Sequence, residues 1–331
     1  MHIAVFDTHD YERPTLEMAA AQAGHKLTFF EERLRPDTAL LASGHRAVCV
    51  FVNDVLDRHT LDIISAEGVE LIALRCAGFN NVDLDTAARL HLRVVRVPEY
   101  SPYAVAEHTL ALLLALNRRI HRAHYRSRER NFSLEGMVGT DVHGKTVGVI
   151  GTGKIGAIFG TIMHGLGCRI LAHDMRPNEE LVAATGAQYV AMPELLGQSD
   201  FISLHVPLLE ATHHIISRDA IARMKPGAYL LNTSRGGLVD AAALIDGLKS
   251  GQVGAAGLDV YEEEADVFFE DHSDDILQDD ILARLLTFPN VIITSHQAFL
   301  TVEALENIAE TTMANVTAFE KGHELTNELR D

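Results

Sequence analysis

The sequence predicts an α/β protein made of two successive units, each built on a parallel sheet. Three observations predict it. The chain has 331 residues, which at roughly 150 residues per domain suggests two domains with cores that need no staples. Short apolar runs alternate with helical patterns along most of the length, as parallel strands covered on both faces do. A glycine-rich turn, Gly151-Thr152-Gly153-Lys154-Ile155-Gly156, lies between one such run and a helical stretch.

In chain order, the first series places strands at 3–6, 27–30, 47–52, 71–74 and 94–97, with helical segments such as 16–23 and 61–67 between them. Pro102 opens a helical pattern that continues to about Arg126, and 131–145 is Gly-rich and polar, as a loop is. The second series places strands at 146–150, 168–174, 188–190, 201–205, 229–232, 255–259 and 291–294. Seven strands with helices between them make a doubly wound unit. A final amphipathic helix, 302–321, carries Ala304, Leu305, Ile308, Ala309 and Met313 on one stripe. Its periodicity does not say which unit it covers.

Charge and cysteine usage narrow the function classes. The 46 acidic residues against 28 Lys and Arg leave a formal net charge of -18, which argues against nucleic acid or an anionic membrane as partner. Six arginines between Arg118 and Arg130 read as the solvated or interface end of a helix. Ten of the twenty residues 261–280 are acidic. Asp271, Ser273 and Asp275 have a faint calcium-loop spacing, but Ile276 stands where that loop needs glycine. The stretch therefore reads as a solvated excursion anchored by Phe268 and Phe269, and no metal is expected. Cys49, Cys76 and Cys168 lie in apolar runs and read as free thiols of a reducing compartment. The N-terminus lacks a basic stretch followed by an apolar one, and the longest apolar run, 110–116, is far too short for a membrane span. A cytoplasmic location follows as the expectation.

The glycine motif has the context that a dinucleotide fingerprint requires, strand before and helix after. Gly151 permits the tight turn, Gly153 leaves room for a pyrophosphate, and Gly156 allows close helix–sheet packing. The helix N-terminus then stabilises the phosphate charge. Asp174 ends the next strand, where an acid accepts hydrogen bonds from ribose hydroxyls and repels a 2′-phosphate. That favours NAD over NADP, although Arg176 nearby can welcome a phosphate. Flavin is a competing occupant of such a motif. The position of the glycines after a complete α/β unit suits a two-domain nicotinamide enzyme better.

A nicotinamide enzyme that reduces a 2-oxo acid needs a cation for the carboxylate, a donor for the developing alkoxide, and a partner that keeps this donor charged. Three residues after late strands offer these groups. Arg235, in Asn232-Thr233-Ser234-Arg235-Gly236, supplies a planar fork. His296 directly follows a strand, and Glu264 lies in a crowd of carboxylates. A carboxylate beside a histidine favours the imidazolium. Each of the three has an ordinary surface or packing alternative, and spacing alone does not bring them together.

Taken with Arg75-Cys76-Ala77-Gly78-Phe79-Asn80-Asn81-Val82-Asp83, Val97-Pro98-Glu99-Tyr100-Ser101-Pro102, Val105-Ala106-Glu107-His108, Gly257-Leu258-Asp259-Val260-Tyr261-Glu262 and Ser295-His296-Gln297-Ala298-Phe299, these motifs resemble the D-isomer-specific 2-hydroxyacid dehydrogenase family over essentially the whole chain. Within it, Phe268-Phe269-Glu270-Asp271 and His296-Gln297-Ala298-Phe299 point to the NAD-dependent D-lactate branch.

The resemblance implies roles residue by residue. Arg235 anchors the substrate carboxylate, His296 is the acid/base, and Glu264 holds it protonated. Backbone amides near Cys76, Ala77 and Gly78 assist at the carboxylate, and Tyr100 and Phe299 wall the pocket. Val206, Pro207, Thr233 and Asp259 join the glycines and Asp174 around NAD. The implied architecture is two Rossmann-like or flavodoxin-like domains with an interdomain cleft: a substrate domain from 1–100 plus about 300–331, and an NAD-binding domain over 101–299. The resemblance also implies a homodimer or homotetramer, with the helix from Pro102 at the contact. Glu99 stands where many relatives carry a small residue. The expected reaction is pyruvate and NADH giving D-lactate and NAD. Two alternatives stay open: a D-2-hydroxyacid dehydrogenase for a larger or glyoxylate-type substrate, and a nicotinamide-sensing corepressor.

Overall fold

A computed structural model describes residues 1–264, 267–269 and 271–329 of the chain. Glu270, in the segment that points to the D-lactate branch, and the chain end at 330–331 lie outside the described residues. The chain divides into two compact units, Met1–Ser101 with Leu300–Asp331, and Pro102–Phe299.

The first unit holds a five-stranded sheet in the order β2-β1-β3-β4-β5. Its strands are β1 (His2–Val5), β2 (Lys26–Phe29), β3 (Ala47–Val50), β4 (Leu71–Leu74) and β5 (Arg93–Val95), all parallel. Every residue of β3 and β4 is buried, which is why these runs are apolar without alternation. On one face Leu61 and Ile64 of α2 (Arg58–Ala66) pack on Val48, Val50 and Ile72. On the other, Leu16 and Ala20 of α1 (Arg13–Ala23) share a core with Ile3, Val5 and Leu71. The final helix α12 (Val302–Glu320) joins this second core through Ala309, Met313 and Val316. A short helix that the sequence pattern missed, α3 (Leu84–Arg89), starts at Asp83, whose side chain accepts from Thr86 N.

The strand order of this sheet reverses between β1 and β3, where open α/β sheets place their functional loops. A buried polar knot holds the loops there. Arg75, fully buried at the end of β4, donates from Nε to Glu12 Oε2 at 2.9 Å and from Nη2 to Glu12 Oε1 at 2.8 Å. Nη2 also donates to the Asp7 carbonyl at 2.5 Å, and the guanidinium lies 4.9 Å from the Phe51 ring. Asp54 accepts from Leu34 N and Phe51 N, and burial pushes its carboxyl up to about 7.

The second unit holds a seven-stranded parallel sheet in the order β12-β11-β10-β9-β6-β7-β8. Its strands are β6 (Thr146–Ile150), β7 (Arg169–His173), β8 (Gln188–Tyr189), β9 (Phe201–Leu204), β10 (Ala228–Asn232), β11 (Val253–Leu258) and β12 (Val291–Ile293). This is the doubly wound order, reversing between β6 and β9.

The expected single helix from Pro102 is instead two, α4 (Pro102–Asn117) and α5 (Ile120–Arg128). Arg119 breaks it by adopting a left-handed conformation, φ 52 and ψ 36. The apolar α4 buries Leu112, Leu113 and Leu116 beside Phe159 and Val147, whereas α5 buries nothing. No helix among the described residues is long and apolar enough to cross a membrane.

Glu12→Gln leaves the buried Arg75 guanidinium uncompensated. It is expected to destabilise the first unit by about 3–5 kcal/mol, read from the denaturation midpoint and slope in urea.

Candidate active site

Each polar group singled out in the second unit follows the C-terminal end of a strand. The glycine turn follows β6, and helix α6 (Lys154–Gly165) begins inside the motif. Gly151 has φ +90, and a Cβ there would lie 2.6 Å from the His205 backbone. A Cβ on Gly156 would lie 1.9 Å from the Gly151 carbonyl oxygen. A Cβ on Gly153, in contrast, meets no protein atom within 4 Å. Two glycines are thus required by packing, and the middle one faces the open space at the helix N-terminus, where a pyrophosphate fits. Thr152 is buried, Lys154 is exposed and Ile155 is half-buried.

Asp174 follows β7 and holds this turn. Its Oδ2 accepts from Thr152 N at 2.6 Å and Thr152 Oγ1 at 3.2 Å, while Oδ1 accepts from Arg176 N at 3.2 Å. Burial pushes the Asp174 carboxyl up, but the N–H groups of Thr152 and Arg176 outweigh it and hold it below the ordinary carboxylate range. The group stays charged and half-buried beside the glycine turn, an acceptor that fits the hydroxyls of an adenosine ribose and opposes a 2′-phosphate. Tyr189 OH donates to Thr152 Oγ1 at 2.7 Å, a support not foreseen in the sequence.

Beneath the turn lies His205, also unforeseen. Its Nε2 is 2.8 Å from Ser203 Oγ, its ring packs on Phe159, and burial pushes its pKa down to about 3, so it stays neutral. Val206 is half-buried and Pro207 exposed in the same loop, and Ser234 Oγ donates to the Val206 carbonyl at 2.7 Å. Thr233 is buried and shares a 2.8 Å hydroxyl–hydroxyl bond with Thr109 of α4.

Three adjacent strands carry the remaining groups. Arg235 follows β10 in a turn tied by Asn232, whose Nδ2 donates to the Arg235 carbonyl and whose Oδ1 accepts from Ser234 N. The half-buried guanidinium donates from Nη1 to the Ser234 carbonyl at 2.7 Å, and among the described residues it forms no ion pair. Glu264 follows β11. Its Oε2 accepts from Tyr261 N at 2.9 Å, and its Oε1 meets Nδ1 of His296, beyond β12, at 2.8 Å. Both side chains are mostly buried, at 18% and 19% exposure. With Nδ1 engaged, Nε2 is the ring atom that can exchange a proton with a substrate. The Phe269 ring lies 5.9 Å from the His296 ring, and Phe299 is buried just beyond.

The turn bearing His296 is strained. Ser295 and His296 both adopt left-handed φ, 51 and 55, which costs roughly 1–2 kcal/mol per residue. Asp259 holds it there. Its fully buried carboxylate accepts from Thr294 Oγ1 at 2.6 Å, Gln297 N at 2.9 Å and Ala298 N at 2.9 Å, and its carbonyl accepts from His296 N at 2.5 Å. His108 of α4 reaches Thr294 Oγ1 from Nε2 at 3.0 Å, and burial lowers its pKa against the pull of Asp259. The sequence reading puts Asp259 on the cofactor. Both its carboxylate oxygens also accept from its own chain, where they shape the turn that carries the acid/base candidate.

In the first unit, Cys76, Ala77 and Gly78 form a half-buried loop after β4. Arg96 stacks 5.1 Å from Phe79 and donates from Nη1 to the Ala77 carbonyl at 2.7 Å. This draws the carbonyl toward the arginine, and among the described residues the N–H groups of Ala77 and Gly78 have no protein acceptor. Tyr100, half-buried, has its carbonyl fixed by Asn307 Nδ2 at 2.7 Å. Cys49 and Cys168 are buried and Cys76 half-buried, all three as free thiols.

A glycine turn at the switch point of a doubly wound sheet, a charged carboxylate beside it and a carboxylate-paired histidine define a dinucleotide-dependent oxidoreductase. Comparison with known proteins narrows the class. Residues 110–298 match the model of the D-isomer specific 2-hydroxyacid dehydrogenase NAD binding domain. The chain is 50% identical over 330 residues to a 2-hydroxyacid dehydrogenase homolog of Zymomonas mobilis, covering 99% of this chain and 100% of that one. It is similar to the apo-structure of D-lactate dehydrogenase from Escherichia coli, with TM-score 0.92, 47% identity and full coverage of both chains. It is likewise similar to a pyruvate reductase of Chlamydomonas reinhardtii, with TM-score 0.94, 45% identity and 99% and 98% coverage. The chain belongs to the D-isomer-specific 2-hydroxyacid dehydrogenase family, and it is an NAD-dependent oxidoreductase.

Asp259→Asn replaces one acceptor oxygen of the clamp by a donor. It is expected to lower kcat by about tenfold or more, since misplacing a catalytic group by an ångström costs on the order of a hundredfold. Steady-state kinetics check this.

Proposed function

We propose that the protein is a D-lactate dehydrogenase that reduces pyruvate with NADH and runs reversibly. The observation that carries the reading is a half-buried arginine that has no ion-pair partner among the described residues and follows the strand next to the one that leads to Glu264. A small 2-oxo acid presents a carboxylate for the arginine and an adjacent carbonyl for the histidine. The Escherichia coli relative is a D-lactate dehydrogenase and the Chlamydomonas relative a pyruvate reductase, which supports pyruvate within the family's substrate class.

Arg235 binds the carboxylate through its planar fork and orients the carbonyl. The N–H groups of Ala77 and Gly78 assist at the same anion. NAD, when bound, exchanges a hydride with C2 of the substrate. Glu264 holds His296 by Nδ1 and stabilises its imidazolium. His296 donates the Nε2 proton to the developing alkoxide, whose charge the cationic ring offsets. In reverse, neutral His296 accepts the hydroxyl proton. Phe299 and Tyr100, with Phe269 beside the ring, restrict the side chain to a small group. The glycine turn from Gly151 to Gly156, together with Asp174, Val206, Pro207, Thr233 and Asp259, holds the cofactor. In this assignment the first unit is the substrate domain and the second the NAD domain.

Two further assignments belong to the same reading. Ile120, Tyr125, Phe132, Leu134 and Val138 expose large apolar side chains within one short stretch, Val138 at 83%, and support self-association as a dimer or tetramer. The three free thiols suit the cytoplasm.

A substrate panel tests the proposal. Pyruvate is expected to exceed branched, aromatic and glyoxylate-type oxo acids in kcat/KM with NADH, and a larger oxo acid at the top of the panel overturns the pyruvate assignment. Arg235→Gln is expected to lower kcat/KM for pyruvate by about a hundredfold or more, the size of a lost charge-assisted anchor. Normal pyruvate kinetics in this variant contradict the anchor role. Glu264→Gln removes the carboxylate that fixes His296 by Nδ1 and is expected to lower kcat for pyruvate reduction by about tenfold or more. An unchanged kcat counts against the pair.

A further inference from the structure

Away from the Glu264–His296 pair, two histidines and a carboxylate of the second unit converge on one point. His213 Nε2 and His214 Nε2 lie 3.7 and 2.6 Å from the same oxygen, Glu262 Oε1. Successive side chains in extended backbone point to opposite sides. Here His214 has φ 50, and the two rings stack with centroids 3.9 Å apart and an interplanar angle of 26°. Both ring nitrogens therefore face one way.

Hydrogen bonds hold the two segments in register. His213 N donates to the Leu209 carbonyl at 2.9 Å, His214 N to the Gly237 carbonyl at 2.8 Å, and Ile216 N to the Leu238 carbonyl at 3.0 Å. Gly236, in the same stretch, abuts the Tyr261–Glu262 peptide so closely that a Cβ would lie 2.4 Å from Glu262 N. The short stretch 236–238 thus positions both the histidine pair and the glutamate. Their donor atoms all lie within 4.8 Å of one another.

We propose that His213, His214 and Glu262 form a binding site for a divalent transition-metal ion of the zinc, cobalt or nickel type. Two imidazoles and one carboxylate suit such ions, and too few oxygens are present to favour calcium or magnesium. With bonds of about 2.0–2.1 Å, tetrahedral donors stand about 3.3 Å apart. The His213 distance, 3.7 Å, already leaves room for the ion, and the His214 pair opens from 2.6 Å by about 0.7 Å. His213 is 54% exposed, so the ion has a path in and water completes its shell. Glu262 precedes Glu264 by two residues, so an occupied site tethers the segment bearing the partner of His296. The site does not depend on which oxo acid the enzyme reduces.

The test uses the full chain, stripped with chelator and desalted. Zinc is titrated calorimetrically and cobalt by visible absorption. One equivalent of zinc is expected, with a rise in Tm, and a cobalt spectrum free of thiolate charge-transfer bands. Glu262→Gln and the exposed His213→Asn are each expected to weaken zinc binding by at least about tenfold, while the zinc-free His213→Asn protein keeps wild-type pyruvate reduction. Absence of zinc binding, unchanged affinity in both variants, or a thiolate band from a cysteine site overturns the proposal. These readouts are independent of the substrate panel, so failure of one reading is distinguishable from failure of the other.

Discussion

The acid/base geometry of this enzyme depends on one buried carboxylate. Asp259 touches neither Glu264 nor the ring of His296, yet it accepts three hydrogen bonds from Thr294, Gln297 and Ala298 while its carbonyl takes His296 N. Two consecutive left-handed residues at Ser295 and His296 are unfavourable alone. The carboxylate supplies the surplus that keeps them so, and only then does Nδ1 of His296 meet Glu264. His108 and Thr294 extend the same network into α4, which binds the turn to the core of its unit.

The parallel sheet explains why such distant residues cooperate. Every strand of the second unit runs the same way, so the segments after β6, β7, β9, β10, β11 and β12 all emerge at one edge. Glycine turn, ribose acceptor, arginine, glutamate and histidine are separated by up to 145 positions in sequence, from Gly151 to His296, and by few strands in space. Charge is arranged with the same economy. The chain carries a net -18, yet among the described residues Arg235 has no carboxylate partner. An anionic substrate is attracted locally, against the overall sign.

Much of the fold was legible because parallel strands buried on both faces leave continuous apolar runs. The runs at β4 and β6 were read to the residue, and others missed by one or two at the ends. The glycine motif was legible because Gly151 and Gly156 answer to steric needs that no other residue meets. The break at Arg119 was not, since an arginine in left-handed backbone has no sequence signature. The clamp that Asp259 places on its own turn was not legible for a related reason: a motif shows that an acid is present, while only its hydrogen bonds show which groups the carboxylate holds. His205, Tyr189 and the Arg96 clamp on Ala77 act through packing and single hydrogen bonds between distant segments, and periodicity carries no trace of these.

The glycine turn and its surroundings also differ in how much freedom they leave for redesign. Gly151 and Gly156 are locked to each other, because the carbonyl of the first occupies the space a side chain on the third would need. Neither can drift without the other, and changing both at once collapses the seat of α6. Gly153 must keep clear the open space where a pyrophosphate fits, whereas Met175 and Arg176 lie exposed past Asp174 and form the permissive rim. An engineer seeking a different nicotinamide preference has a rigid frame beside this rim, and only the rim is available for variation.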